Sequence, residues 1–489
     1  MPPRLPAVFA TAGLVLLLAA LGAPHPAAGE EAVLSRTVPT ASGDITVSIT
    51  YIVGDEDWAE RIVTLSGQAI PVLEEFTGVP YPGQDEVEIH EKESREIFGY
   101  AGLAGCYRVT CGISVVPSDY DEATLFHELA HIWTMAFRDR WLSEGTAEFL
   151  SWKTVARLSP GTSTRADDEW PGWDGPSFAL ETWGSPGATR SIDEEFADYQ
   201  GYYWSPIFLQ RLEALLGPDL VRNTYAALIP LGENTVDSKK YMDALEDAGG
   251  GNNDEMFLSF IFTEKARPLL ANRRESRERL AALTARAQAE APELPVDALK
   301  PVQDAVAAWE FQKAASALDQ LESGLDAYLP ARADLDTLRA SAESAGLPYP
   351  TPCENALTTW DFPLCVGSIP RAPEAVEAYR SASTTVSEPR SLWQRIGLIG
   401  KDPEGQLNGA ADAFARAEFA GSVKSSRAAQ ATIAGAGGDA PLHLLIAAAA
   451  LTALATLAAV LWSRSQRDEP APAEGATDDA GSGLAAPGP

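Results

Sequence analysis

The run His127-Glu128-Leu129-Ala130-His131 constrains this chain more than any other stretch. Side chains four apart lie on one face of a helix, so His127 and His131 can share a single metal ion only if the run is helical. Glu128 is turned aside from that face, beside such a site rather than in it. The chain has only five histidines, so a pair at this spacing is not a by-product of composition. The plainer alternative is two exposed helical histidines around a surface glutamate.

A metal held for chemistry needs a third protein ligand and a position open to water. His25 falls in an expected leader and His443 in an expected membrane span, which leaves His90 or a carboxylate. Trp141-Leu142-Ser143-Glu144-Gly145-Thr146-Ala147-Glu148-Phe149 opens a second helical segment soon after the first. A helix-turn-helix can bring Glu144 back onto the metal. Glu148, four residues on, can support a ligand histidine through its outer nitrogen. Two imidazoles with a carboxylate that handles a proton is the zinc metalloprotease pattern.

HELAH followed by WLSEGTAEFL resembles the gluzincin metallopeptidases, the thermolysin and aminopeptidase N-like group, and most nearly their short peptidase MA-like branch. The resemblance runs from about Asp44 to about Lys265. It implies an α+β, thermolysin-like domain: a small mixed sheet, the metal helix, then a helical subdomain. It implies zinc bound by His127, His131 and Glu144, with Glu128 as general base and a peptide or protein as substrate. In aminopeptidase N-like enzymes a tyrosine that starts a helix donates to the oxyanion. Counting back from Gly217 places it at Tyr202, with Tyr203 as the fallback. The family's edge strand receives the substrate backbone, and Gly112 to Val116 is the expected outer strand. Twelve residues separate His131 from Glu144, a trimmed loop, and no Gly-Ala-Met-Glu-Asn segment is present to grip a free amino terminus. The expected activity is therefore endopeptidase more than aminopeptidase. A non-catalytic surface module that keeps the zinc fold for binding is the rival.

Residues 1–29 carry Arg4, an apolar run from Val8 to Leu21, then Ala27-Ala28-Gly29, the layout of a secretory signal. Pro441 to Trp462 has no Asp, Glu, Lys or Arg and is long enough to cross a bilayer, with Arg464 and Arg467 following. These features predict a single-pass type I cell-membrane protein with its bulk outside. Four cysteines fit that compartment. The simplest of three pairings is Cys106–Cys111 and Cys353–Cys365, ahead of a four-thiolate zinc site. A net charge of −32 repels phosphate backbones, which argues against nucleic acid as a partner.

The predicted organisation is a signal peptide (1–29), a metallopeptidase domain (30–265), a helical spacer (266–345), a disulfide-stapled juxtamembrane region (346–440), the span (441–462) and a disordered cytoplasmic tail (463–489). Within the first domain, a polar lead precedes a strand at Asp44 to Val53, a helix at Asp55 to Phe76 and a strand at Val87 to His90. Ser118 and Asp121 form a candidate capping box for the metal helix. Ser159 to Ser185, with Trp170, Trp173 and Trp183, reads as a long loop, a lid or subsite wall. Tyr199 opens the next helix. Helices are predicted at Arg273 to Ala289, Pro301 to Leu321 and Asp326 to Ala345, with Arg273, Arg274, Arg277 and Arg279 on a solvated face. Tyr379 to Ala434 is poorly periodic, and Gly435 to Gly438 reads as a flexible lead-in to the span.

Overall fold

The computed structural model describes residues 30–83, 85–92, 105–108, 112–115, 121–162, 175–184 and 191–465. The expected signal peptide, Cys111, Ser118, Trp170, Trp173 and the tail after Ser465 lie outside them, and so does the Cys106–Cys111 pairing. The chain divides into two compact units, Met1–Arg274 and Glu275–Pro489.

The first unit opens with β1 (Glu31–Thr40) and β2 (Gly43–Ile52), then α1 (Glu56–Thr77), β3 (Glu86–Glu91), β4 (Gly105–Arg108) and β5 (Gly112–Val115). Ile45, Val47 and Ile49 alternate with polar residues and are buried, so β2 turns one face to the core. The sheet order is β1-β2-β3-β5-β4, with β2, β3 and β5 parallel and the outer strands antiparallel to their neighbours. Two expectations need correction. The polar lead is a full strand, paired with β2 from Glu31↔Ile52 to Thr40↔Gly43. It rests on backbone hydrogen bonds to β2 and turns Ala32, Leu34 and Val38 inward, while Val33, on the opposite face, is exposed. The outer strand beside the metal helix is β4 rather than the Gly112 run, because the chain doubles back and pairs Cys106 with Ser114.

Asp121 starts α2 (Glu122–Thr134) on its own: its carboxylate accepts from the Thr124 amide at 2.6 Å. Leu125, Phe126, Leu129 and Trp133 are fully buried, and the Trp133 indole donates to the Val79 carbonyl at 3.0 Å, so α2 is locked into the core. A short turn leads into α3 (Arg140–Leu158). Next comes α4 (Ile192–Leu216), which begins well before Tyr199 because Ser191 and Glu194 form a capping box. The unit is completed by α5 (Pro218–Leu228), α6 (Ser238–Leu245) and α7 (Asp254–Phe260), packed through Phe208, Tyr225, Tyr241 and Phe257.

Helix α8 (Arg267–Glu290) carries the arginine cluster. Arg273 is not on a solvated face: it is 1% exposed and donates to Asp243 and Glu246, each at 2.8 Å. Arg274 pairs with Asp254, and Arg279 with Asp319 and Glu322.

The second unit is helical: α9 (Lys300–Ala307), α10 (Phe311–Ala345), α11 (Thr351–Thr359), α12 (Pro363–Ser368), α13 (Ala372–Ser387), α14 (Leu392–Gly397), α15 (Pro403–Ala415) and α16 (Phe419–Ser465). One core joins Leu283, Leu318, Leu325, Trp360, Phe362, Phe414 and Phe419. A disulfide ties Cys353 to Cys365, both buried. The expected break near Leu321 is absent. The chain turns at Ala308–Glu310 and then runs as one helix through Pro330, whose lost hydrogen bond is offset by buried Leu325, Tyr328, Ala331 and Leu335. The stretch read as poorly periodic is helical in four segments. Gly435 to Gly438 is helical too, inside α16, with Ala436 fully buried. Beyond Pro441 the same helix is apolar and exposed, and by length and composition it can cross a membrane.

Candidate metal centre

Helix α2 presents His127 and His131 to α3, which returns Glu144 and Glu148 to the same place. The two imidazole Nε2 atoms lie 3.1 Å apart. A Glu144 carboxylate oxygen lies 3.3 Å from the first and 3.5 Å from the second. Bonds of about 2.0–2.1 Å at the tetrahedral angle put zinc ligand atoms about 3.3–3.4 Å apart. The observed triangle brackets that spacing, and its donor set suits zinc. Among the described residues, these three form the group that could hold a metal ion. His90 is elsewhere, at the end of β3, 3.7 Å from Glu88.

The outer imidazole nitrogens are also held. His127 Nδ1 donates to Glu148 at 2.8 Å, and the other Glu148 oxygen accepts from the Trp152 indole at 2.9 Å. A carboxylate can only accept, so His127 carries a hydrogen on Nδ1, which turns its Nε2 toward His131 and Glu144. His131 Nδ1 meets the Thr134 hydroxyl at 2.9 Å. Burial alone would push the His127 imidazole down, but its bonds to Glu144 and Glu148 outweigh this and hold it well above the ordinary histidine range. Glu144 shows the converse: burial works against its charge, yet the two histidines keep it well below the carboxylate range. Both shifts come from the pairing of these imidazoles with the Glu144 and Glu148 carboxylates.

Glu128 lies beside this triangle, buried, with its carboxyl raised first by desolvation and partly lowered by His127 and His131. Its carboxylate rests on the edge strand. A Cβ on Gly105 would stand 2.5 Å from Glu128 Oε1, so only glycine leaves room there. Two residues on, the Tyr107 ring lies nearly parallel to His131, with centroids 5.9 Å apart.

Tyr202 and Tyr203 are both inside α4 rather than at its start, and they separate clearly. The Tyr202 ring is 6.3 Å from that of His127, whereas Tyr203 packs on Trp204 at 5.1 Å. Burial and the nearby Glu144 charge push the Tyr202 hydroxyl up. Its oxygen accepts from Arg140 Nη2 at 3.4 Å. Arg140 is held in turn by Asp198 at 2.5 Å and the Gly184 carbonyl at 2.8 Å, with its guanidinium 4.2 Å above the Trp183 ring. Trp183 also stands edge-on to Tyr202, with ring centroids 5.0 Å apart. Sequence reasoning missed Thr134, Gly105, Arg140 and Asp198. Thr134 was within reach, since it lies three residues after His131 on the same face.

No protein-family model matches the chain, and no curated protein does. Among solved structures it is similar to an M1 zinc metallopeptidase from Deinococcus radiodurans, at 17% identity and a TM-score of 0.33, over 47% of this chain and 52% of that one. A mutant of that peptidase bound to a Tyr-Ser-Ala substrate aligns at 17% identity and a TM-score of 0.32, over 46% of this chain and 51% of that one. The chain spans about half the length of these solved structures.

Proposed function

We propose that the chain is a zinc-dependent peptidase that cleaves within peptide chains and is anchored to a membrane by α16. The observation that carries this reading is the His127–His131–Glu144 triangle, spaced as three vertices of a zinc tetrahedron, with buried Glu128 at its side. His127 Nε2, His131 Nε2 and a Glu144 oxygen would hold the ion. Bound zinc supplies a Lewis acid for the scissile carbonyl and a lowered pKa for water.

Glu128 takes the proton of the attacking water and passes it to the leaving amine nitrogen; its raised pKa suits a group that must hold a proton between those two steps. Arg140 has only donors, so the Tyr202 oxygen accepts from it, and the Tyr202 O–H donates to the developing oxyanion. A substrate strand laid along β4 would pass both Glu128, which Gly105 touches, and His131, which Tyr107 covers. The missing amino-terminus-gripping segment favours cleavage inside a chain over removal of its first residue. The uncharged, exposed stretch of α16 supports a single span, and Arg464 and Arg467 after it favour a cytoplasmic carboxyl end.

Metal analysis of purified protein beside a peptide-library digest tests the reading. Wild type is expected to carry zinc and cleave, Glu128→Gln to carry zinc without cleaving, and His127→Ala to lose both. Cleavage by Glu128→Gln at the wild-type rate would overturn the mechanism. Protein that stays metal-free after zinc loading would overturn the site.

A further inference from the structure

Helix α14 and the turn after it expose three large apolar side chains together: Leu392 (72%), Trp393 (55%) and Ile399 (66%). Single exposed hydrophobics need no explanation, but a cluster on so short a stretch does. Its position along α16 supplies one. A Cβ on Gly397 would overlap the Ala436 carbonyl oxygen, so backbone meets backbone there. Lys401 pairs with Asp439. The His443 Nδ1–H donates to the Ile396 carbonyl at 2.9 Å. These three ties fix α14 against residues 436–443, about 10 Å of helix at 1.5 Å per residue, centred on the start of the uncharged stretch at Pro441.

The headgroup zone flanking a bilayer core is about 5–8 Å deep on each side. Residues pinned within one turn of Pro441 therefore lie at that depth. Tryptophan favours that zone, and exposed Arg395 on the same helix suits anionic headgroups. We propose that α14 is an interfacial helix that seats Leu392, Trp393 and Ile399 in the leaflet on the amino-terminal side of the span. Leu442, Leu444, Leu445 and Ile446, at the start of the span, are exposed as well. This rests on the membrane-anchor reading of α16, and lipid is the occupant because the three ties hold the patch beside the start of that span.

The test uses the full chain in phosphatidylcholine–phosphatidylglycerol nanodiscs, labelled one site at a time with an environment-sensitive fluorophore at Trp393→Cys, Ile399→Cys, Ile446→Cys or Lys424→Cys. Lys424 is exposed on α16 and lies about 25 Å before Pro441 along the helix. Labels at 393 and 399 are expected to emit at shorter wavelength, to lose iodide quenching and to gain quenching by lipids with a nitroxide high in the acyl chain, as at 446. The label at 424 stays open to iodide. Iodide quenching at 393 and 399 as strong as at 424, with 446 quenched by lipid, overturns the proposal and leaves the span intact. Sites 393 and 399 shielded from iodide but out of reach of the nitroxide lipids would mean that protein covers the patch, which also overturns it. Iodide access at 446 removes the span and the proposal with it.

Discussion

Glu148 offers a sharp test of how the site is built. Its two oxygens each accept from a different buried donor, His127 Nδ1 at 2.8 Å and the Trp152 indole at 2.9 Å. Glutamine keeps the shape but has one acceptor and one donor end. Whichever way the amide turns in Glu148→Gln, its NH2 faces a donor. Glu148 is 8% exposed, so water cannot fill the gap. Leaving a buried donor unsatisfied costs about 1–3 kcal/mol. Loss of a ligand's supporting partner costs about 10–100-fold in metal affinity, or about 1.4–2.7 kcal/mol, so the two routes agree. Zinc affinity should be measured by competition with a chromophoric chelator at neutral pH, for Glu148→Gln, Trp152→Phe and the double variant. The single Gln variant is expected to lose about 10–100-fold. The loss should shrink in the Trp152→Phe background, where the amide can turn its oxygen to His127 and its NH2 no longer opposes an N–H. Zinc binding by Glu148→Gln as tight as wild type, or an identical loss in both backgrounds, would refute the reasoning.

Two further outcomes are expected. Gly105→Ala pushes a methyl group into the Glu128 carboxylate and should lower kcat/KM about 100-fold, the cost of a displacement near 1 Å, with zinc content unchanged; a fully active, zinc-loaded Ala variant would refute this. Tyr202→Phe should lower kcat by about 100–1000-fold with KM nearly constant, while Tyr203→Phe stays close to wild type. Equal effects at the two positions in steady-state kinetics would remove Tyr202 from the oxyanion role.

The pairing of His127 with His131 was legible because the four-residue helical repeat places side chains without reference to the rest of the fold, whereas Glu144 was reached through an expected helix-turn-helix and the family resemblance. Glu148 followed from the same repeat. Gly105, Arg140 and Asp198 were not legible, since each acts through a residue distant in sequence. The α4 start was readable: Ser191 and Glu194 have the spacing of a capping box, but the aromatic run at Tyr199 drew attention away from it. Strand β1 alternates only loosely in sequence, since Val33 interrupts the face of Ala32, Leu34 and Val38 and Arg36 falls on that face. Pro330 was already inside the predicted Asp326 to Ala345 helix, and α10 does run through it. A local breaking tendency worth about 3 kcal/mol was outweighed by the buried face of α10.

The absence of any break in α16 has a mechanical consequence. Its 47 residues form one helix that continues through Pro441, and the uncharged stretch from Pro441 to Trp462 is about 33 Å long against a hydrocarbon core of about 30 Å. With α16 spanning a bilayer, as proposed above, that surplus would be relieved by leaning. A tethered domain on a slack linker would ignore such leaning, but here the residues before Pro441 are the same helix, packed against α13, α14 and α15. Bilayer thickness would therefore steer the helical unit as a tiller steers a rudder.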